Sequence, residues 1–358
     1  MFTILAFIVV VGIIVFVHEL GHFIAAKLSG VRVETFSLGF PPKLWSKTIG
    51  ETEYQIAWLP LGGFVKMSGM SDESFDDDYN PDDPRGFNKQ SFLKKVFIIT
   101  AGVIMNIILG FLIYSSLTMS EGVGRMTGTT LTIISEDFPA AAAGLQVGDK
   151  VTAVAGKPVT TWDELTNIVR VHPGEPIEVN WIRGDSAMSA EIIPKATPEF
   201  NISTASMETV GKIGVVGTVV TEKVGPTKAL YYGAQQVGLI VKLNAVSLGA
   251  LLTGKAHIKE LTGPLGIARM SGESARSGAT GFLAFIAMIS VSIAFLNVLP
   301  IPMLDGGHLL FLVIEAIIRR QIPEKVKIYL LKAGLAALVL LVVVVSYHDI
   351  VRFYLGGN

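Results

Sequence analysis

The chain has 358 residues, of which half are hydrophobic and only 16% are charged, and its mean hydropathy is +0.54. This composition excludes an ordinary soluble enzyme and is typical of a protein with several membrane-spanning helices. The 29 basic and 30 acidic residues leave a net charge of -1, and cysteine is absent, so the chain lacks both a basic field for nucleic acid and any thiolate ligand or disulfide.

The first apolar segment, residues 1–30, predicts a transmembrane helix. Neither a basic amino-terminal stretch nor an A-x-A-like cleavage site accompanies it, so we expect it to be retained. Within it, HELGH at residues 18–22 fits H-E-x-x-H, in which two histidines on one helical face can bind zinc and the glutamate acts as a general base. Two histidines hydrogen-bonded inside a helical bundle are the alternative. Ionisable groups at membrane depth are costly, which favours the functional interpretation.

The segment that follows predicts a β-element and a loop on the cytoplasmic side. Residues 31–68 alternate β-branched and aromatic residues with polar ones and predict a membrane-associated β-hairpin. Residues 69–91 predict an acidic loop, and residues 92–120 a second transmembrane helix. Lysine and arginine are concentrated between the two helices and at residues 319–327. Both stretches are therefore expected to be cytoplasmic, with the amino terminus and the central region on the other side.

The central insertion, residues 125–200, predicts a small α+β domain. Its A-G-L-x-x-G-D-x-V-x-x-V-x-G pattern, which starts at Ala143, resembles a PDZ domain. PDZ domains bind an extended chain or a terminal carboxylate; a domain that provides only steric cover is the alternative. Residues 201–262 follow as an amphipathic region, in which polar residues every seven positions favour a helix lying on the membrane over another span.

The next apolar segment, residues 281–320, predicts a third transmembrane segment with an interruption. Pro300 and Pro302 remove backbone donors and should open the helix around Asp305. Catalytic zinc generally has three protein ligands, so Asp305 is the natural third ligand. An aspartate before two glycines is also a common helix N-cap, but the H-E-x-x-H pattern favours the ligand. Residues 326–350 predict a fourth transmembrane helix.

Three other polar residues in the apolar segments receive weaker predictions. His308 is expected to hydrogen-bond to backbone or water rather than to bind metal. Glu315 could pair with Arg319, one helical turn away. Asn106 could form a hydrogen bond to a neighbouring helix.

Taken together, the motifs resemble the site-2 intramembrane zinc proteases, within them the bacterial regulator of sigma-E protease branch. The resemblance covers nearly the whole chain, through HELGH, GGFVKM, AGVIMNIILG, the PDZ-like insertion, GPLGIA and NVLPIPMLDGGH. It implies that His18, His22 and Asp305 are the three ligands of a Zn²⁺ site and that Glu19 is the catalytic base. It also implies a substrate-binding site formed by Asn297, Gly62, Gly63 and Phe64.

The same resemblance implies a substrate class and a location. The substrates would be single-pass membrane proteins cut within their transmembrane segments, such as anti-sigma factors in the sigma-E stress response, and remnant signal peptides. The protein would lie in the bacterial inner membrane, with the PDZ domain on the periplasmic side and the active site towards the cytoplasm. One departure matters: the best-studied branch has two tandem PDZ domains, whereas this insertion has room for about one.

Two other functions are compatible with parts of the pattern. A non-catalytic membrane scaffold could use the PDZ domain to tether envelope proteins, but the intact Glu19 and Asp305 favour a protease. A metal transporter could use the same three ligands, but transporters usually contain repeated pairs of broken helices. We therefore predict a polytopic α-helical membrane protein with four transmembrane helices, a β-hairpin and an inserted α+β PDZ domain.

Overall fold

The chain begins with a long apolar helix and continues through both helices and strands. The computed structural model describes residues 1–70, 82–201, 206–256 and 261–354, so that residues 71–81 of the predicted acidic loop lie outside the described part. The helices are α1 (Phe2–Ser29), α2 (Phe92–Glu121), α3 (Pro139–Ala142), α4 (Trp162–Arg170), α5 (Pro226–Leu252), α6 (Pro264–Arg276), α7 (Ala279–Val298), α8 (Asp305–Ile318) and α9 (Glu324–Tyr354). The strands are β1 (Val33–Ile49), β2 (Thr52–Met67), β3 (Val123–Ile134), β4 (Lys150–Val154), β5 (Lys157–Pro158), β6 (Ile177–Arg183), β7 (Ser186–Ile192), β8 (Lys195–Asn201), β9 (Ser206–Lys212) and β10 (Val215–Glu222).

Within the described residues, five helices are long and apolar enough to cross a membrane, namely α1, α2, α5, α7 and α9. The predicted number of four spans is therefore not confirmed. The additional candidate is α5, where the sequence favoured an amphipathic helix. The apolar residues between its polar residues, which include Lys228, Gln235 and Lys242, are numerous enough for a membrane span.

The chain divides into two compact units. The membrane unit comprises Met1–Leu117, Leu230–Asn244 and His257–Asn358, and the PDZ-like unit comprises Thr118–Ala229 and Ala245–Ala256. The predicted interruption of the third apolar segment lies in the membrane unit, where α7 ends at Val298 and α8 begins at Asp305. Met303, within the interruption, has a φ of 83°, a left-handed conformation that is uncommon for a side chain of this type. The two prolines thus separate two helices instead of bending one.

A β-hairpin packs on the first two long helices of the membrane unit. Strands β1 and β2 pair in an antiparallel manner with several register shifts. Phe36 and Val65 of the hairpin share a buried apolar cluster with Ala25 of α1 and Ile98 of α2. This cluster fixes the hairpin beside the end of α1 at which the H-E-x-x-H pattern lies.

The pairing of Glu315 differs from its prediction. Its carboxylate lies 2.9 Å from the Lys327 ammonium and accepts a hydrogen bond from the Ile322 backbone N–H. Arg319, the predicted partner, is the C-cap of α8 and has a left-handed φ of 53°. Because the helix ends there, the spacing that brings side chains four positions apart together no longer applies.

The PDZ-like unit contains a sheet with strand order β10-β3-β4-β6-β7, to which β5 is joined through β4, and a separate β8–β9 hairpin. Its core includes Leu131, Val151, Leu165 and Trp181. Thr161 caps α4, and Glu164 completes the capping box. The sheet extends beyond the predicted boundary at residue 200, because β10 pairs with β3 across most of the insertion. Residues 206–222, assigned to an amphipathic region by the sequence, are therefore largely β-strand.

Asp149 is expected to be a major source of stability in the PDZ-like unit. Its buried carboxylate accepts hydrogen bonds at 2.8 Å from Arg183 Nε and from the Gln146 backbone N–H. These hydrogen bonds hold the pKa of the Asp149 carboxyl below its ordinary value, and the bond from Arg183 has the largest effect. Replacing Asp149 by asparagine should lower the free energy of unfolding by about 1.5–3 kcal/mol at pH 7, because the hydrogen bonds from Arg183 and Gln146 lose their charged acceptor.

The difference in the free energy of unfolding between the wild type and Asp149→Asn should shrink as the pH falls below about 4. A carboxyl whose pKa is lowered in the folded state stabilises the fold only while it is ionised. The free energy of unfolding is measured by urea unfolding of the full chain in detergent, followed by tryptophan fluorescence. The substitutions Trp45→Phe and Trp58→Phe are included in every variant, so that only the tryptophans of the PDZ-like unit report. Asp185→Asn, at an exposed turn residue, is the matched control. Equal losses in both variants, or a constant difference across pH, would contradict the assignment.

Candidate active site

Three potential metal ligands converge in the membrane unit. His18 and His22 lie one turn apart on α1 and are buried, and Asp305 is the first residue of α8. The two Nε2 atoms are 3.2 Å apart. His18 Nε2 is 3.2 Å from Asp305 Oδ2, and His22 Nε2 is 3.4 Å from Asp305 Oδ1. The fold therefore brings together residues from near the two ends of the chain.

These distances fit a divalent cation. Ligand atoms bound tetrahedrally to zinc at about 2.0 Å are about 3.3 Å from one another. Asp305 Oδ2 is moreover buried without an accepted hydrogen bond among the described residues, an arrangement that is costly for a carboxylate unless a cation or another partner is bound. The donor set of two imidazole nitrogens and one carboxylate oxygen is of the kind that zinc prefers. These three side chains could hold one zinc ion.

The imidazole rings are aimed by contacts with α2. His22 Nδ1 lies 2.8 Å from the Ile98 carbonyl oxygen, which turns the Nε2 atom of the ring towards Asp305. His18 Nδ1 lies 3.4 Å from Asn106 Nδ2. Each histidine thus faces Asp305 with one nitrogen and α2 with the other.

A glycine of α2 permits this close approach. A β-carbon on Gly102 would overlap His22 Nε2 and would lie 2.8 Å from His18 Cε1. The sequence prediction included neither Gly102 nor a role for Asn106 at the site. The available signal was their spacing of four residues, which places both on the same face of α2.

Glu19 and the four predicted substrate-binding residues lie around one cavity with the three potential ligands. The cavity has a volume of about 360 Å³. Its lining includes Glu19, Gly62, Gly63, Phe64 and Asn297. A β-carbon on Gly63 would lie 3.1 Å from Glu19 Cγ, so β2 passes directly over the glutamate. Asn297 Nδ2 is 3.4 Å from His18 Nε2.

His308 lies at the junction of this cavity with a second one. It lines both cavities but does not belong to the group of three potential ligands found among the described residues. The second cavity has a volume of about 280 Å³, and Lys95, Glu315 and Lys327 contribute to its polar lining. Polar side chains of α8 and α9 therefore lie close to His308, on the side away from the three ligands.

Comparison with known proteins gives matches over almost the whole chain. Residues 6–341 match the family described as peptidase family M50. The zinc metalloprotease RasP of Bacillus licheniformis is 30% identical over 431 residues, which cover 99% of this chain and 100% of that protein. The regulator of sigma-W protease RasP of Bacillus subtilis is 29% identical over 429 residues, which cover 99% of each chain.

Among solved structures, the PDZ domain of an SdrC-like protein from Listeria monocytogenes is 25% identical with a TM-score of 0.21, and the match covers 27% of this chain and 90% of that domain. The full-length matches have a different weight, because they include both the segment with the H-E-x-x-H pattern and the segment with Asp305. The chain belongs to peptidase family M50 and is a zinc metalloprotease of the membrane.

Proposed function

We propose that this protein hydrolyses peptide bonds within the transmembrane segments of other membrane proteins. The observation that carries the proposal is the convergence of His18, His22 and Asp305 within 3.4 Å of one another on helices of the membrane unit, with Glu19 on the same cavity. We assign the three residues as zinc ligands and Glu19 as the catalytic base. A non-catalytic scaffold would have no need of this arrangement.

The proposed chemistry divides between the metal and the chain. Zinc, when bound, polarises the scissile carbonyl and lowers the pKa of a water molecule. Glu19 accepts a proton from the attacking water and returns it to the leaving amine. Asn297, whose amide nitrogen lies 3.4 Å from His18 Nε2, is placed to donate a hydrogen bond to the carbonyl oxygen of the substrate.

The β-hairpin is the proposed holder of the substrate. Gly62, Gly63 and Phe64 of β2 line the cavity above Glu19, and the two glycines let this part of β2 pack closely against Phe40 and Glu19. A transmembrane helix hides its carbonyl groups in internal hydrogen bonds, so it must become extended before hydrolysis. Pairing of the extended segment with β2 would restore the hydrogen bonds that the helix loses.

The substrates and their orientation follow from the comparisons and from the loop charges. The Bacillus subtilis relative is named a regulator of sigma-W protease, which supports anti-sigma factors of the single-pass type as substrates here. That name gives no support to the sigma-E response in particular, which stays a prediction, as do remnant signal peptides. The excess of lysine and arginine between α1 and α2 supports an active site towards the cytoplasm and a PDZ-like unit on the opposite side. The second cavity would then supply water from the cytoplasmic side.

Substrate segments with a weak helix are expected to be cut faster. Two adjacent glycines in the middle of a cleaved span should raise the rate several-fold, because each glycine lowers the cost of unwinding by about 1 kcal/mol. The measurement is cleavage of a single-pass substrate by the purified protein in proteoliposomes, with a zinc chelator as the blank. The same glycine pair in the soluble part of the substrate is the control. Unchanged or slower cleavage would exclude unwinding as a requirement.

A further inference from the structure

We infer that Asn106 is a positioning residue of the zinc site: its amide oxygen accepts a hydrogen bond from His18 Nδ1–H and so leaves His18 Nε2 free for the metal. The inference rests on the proposed function, because it requires His18 Nε2 to be a ligand. It adds a residue of α2 to a site whose ligands come from α1 and α8.

The first observation is an unpartnered polar atom in the interior. Asn106 is 0% exposed, and its Oδ1 atom has no hydrogen-bond partner within the described part of the chain. Its Nδ2 atom lies 3.4 Å from His18 Nδ1. A buried polar atom without a partner destabilises the folded state. An asparagine in an apolar helix therefore needs a partner that compensates for this cost.

The second observation is the contrast between the two histidines. His22 Nδ1 faces the Ile98 carbonyl oxygen at 2.8 Å, an atom that can only accept a hydrogen bond. The hydrogen of His22 is thereby fixed on Nδ1, and its Nε2 lone pair faces Asp305. His18 Nδ1 faces an amide group, which can either donate or accept.

The orientation of the Asn106 amide suits a His18 ring without a hydrogen on Nδ1. When Asn106 Nδ2 donates to His18 Nδ1, that ring nitrogen carries no hydrogen of its own. A histidine that binds zinc through Nε2 carries its hydrogen on Nδ1, and this hydrogen needs an acceptor. A half-turn of the Asn106 amide exchanges two atoms of similar size and presents Oδ1 to His18. The unpartnered oxygen then has its partner.

The backbone at Asn106 is fixed while the amide turns. Ser290 Oγ of α7 donates a hydrogen bond at 2.9 Å to the Asn106 backbone oxygen. Gly102, one turn earlier, keeps α2 in contact with both imidazoles. The amide is therefore held at hydrogen-bonding distance from His18 in both orientations.

The test measures zinc affinity by chelator competition in the full-length protein. Asn106→Leu removes the acceptor with little change in volume and should weaken zinc binding about 10- to 100-fold, the usual effect of losing a residue that orients a metal-binding histidine. Asn106→Asp keeps an acceptor and should bind zinc within a few-fold of the wild type. Asn244→Leu is the matched control and should bind normally, because it makes the same exchange at an asparagine of α5 that donates a hydrogen bond to Ser292 Oγ and does not line the cavity.

Wild-type affinity in Asn106→Leu, or equal weakening in all three variants, would overturn the inference. A second measurement uses the wild type alone: the cobalt-substituted protein should show two slowly exchanging, metal-shifted imidazole N–H protons in its NMR spectrum, and a single one would overturn the inference as well. Failure of the proposed function has another signature, namely full zinc retention by His18→Ala, His22→Ala and Asp305→Ala.

Discussion

Replacing Glu19 by glutamine is expected to abolish peptide hydrolysis while zinc stays bound. Glutamine has nearly the same shape as glutamate but cannot take a proton from water. The loss of a positioned general base typically costs 10²- to 10⁴-fold in rate. The three assigned zinc ligands are unchanged in this variant, so its zinc content should equal that of the wild type. Cleavage of a reconstituted single-pass substrate and elemental analysis of the same preparation measure the two quantities.

The matched control for Glu19→Gln is Glu273→Gln. Glu273 is an exposed residue of α6 that pairs with Arg269 one turn away, so its replacement changes the formal charge equally without touching the cavity. Glu273→Gln should cleave at the wild-type rate. Full activity in Glu19→Gln would exclude Glu19 as the base and would favour the scaffold or another proton acceptor. Loss of zinc in Glu19→Gln would instead show a structural role.

Gly102→Ala is expected to reduce both zinc binding and hydrolysis by at least one order of magnitude. The added methyl group would overlap His22 Nε2 and press on His18 Cε1, and a displacement of about 1 Å in a catalytic group can cost about 10²-fold. To relieve the overlap, either α2 moves away from α1, or the two imidazole Nε2 atoms no longer point at one zinc position. The measurement is the zinc dissociation constant together with the cleavage rate.

Gly12→Ala is the control for this substitution. It introduces the same methyl group into α1, but beyond the adjacent residues and backbone of α1 itself no described atom lies within 4 Å of the new β-carbon. Both variants gain a similar helix propensity, of about 1 kcal/mol, so propensity cannot explain a difference between them. Wild-type zinc affinity and rate in Gly102→Ala would show that α2 does not constrain the imidazoles.

The ligands could be predicted from the sequence because their signals are local. Two histidines four positions apart share a helical face, and the need for a third ligand directed attention to an aspartate beside two prolines. The contributions of Gly102 and Asn106 depend instead on the distance between α1 and α2, which no local pattern encodes. The pairing of β10 with β3 could not be predicted from the sequence for the same reason, since it joins strands that are far apart along the chain.

The number of spans illustrates a different limit. Length and hydropathy place α5 among the helices that could cross a membrane, whereas its polar residues at intervals of seven favour a surface position. Both patterns are present in the same 27 residues. Sequence reasoning had to weigh one against the other, and it had no observation of the lipid-facing surface with which to decide.

The separation of His22 and Asp305 along the chain has a consequence for biosynthesis. As the polypeptide leaves the ribosome, α1 enters the lipid with both histidines and the glutamate, while the aspartate on α8 is still to be translated. A nascent or prematurely terminated product therefore holds only two of the three assigned ligands. Proteolytic activity would therefore arise only after Asp305 has been translated, and a product that ends before this residue would be inactive.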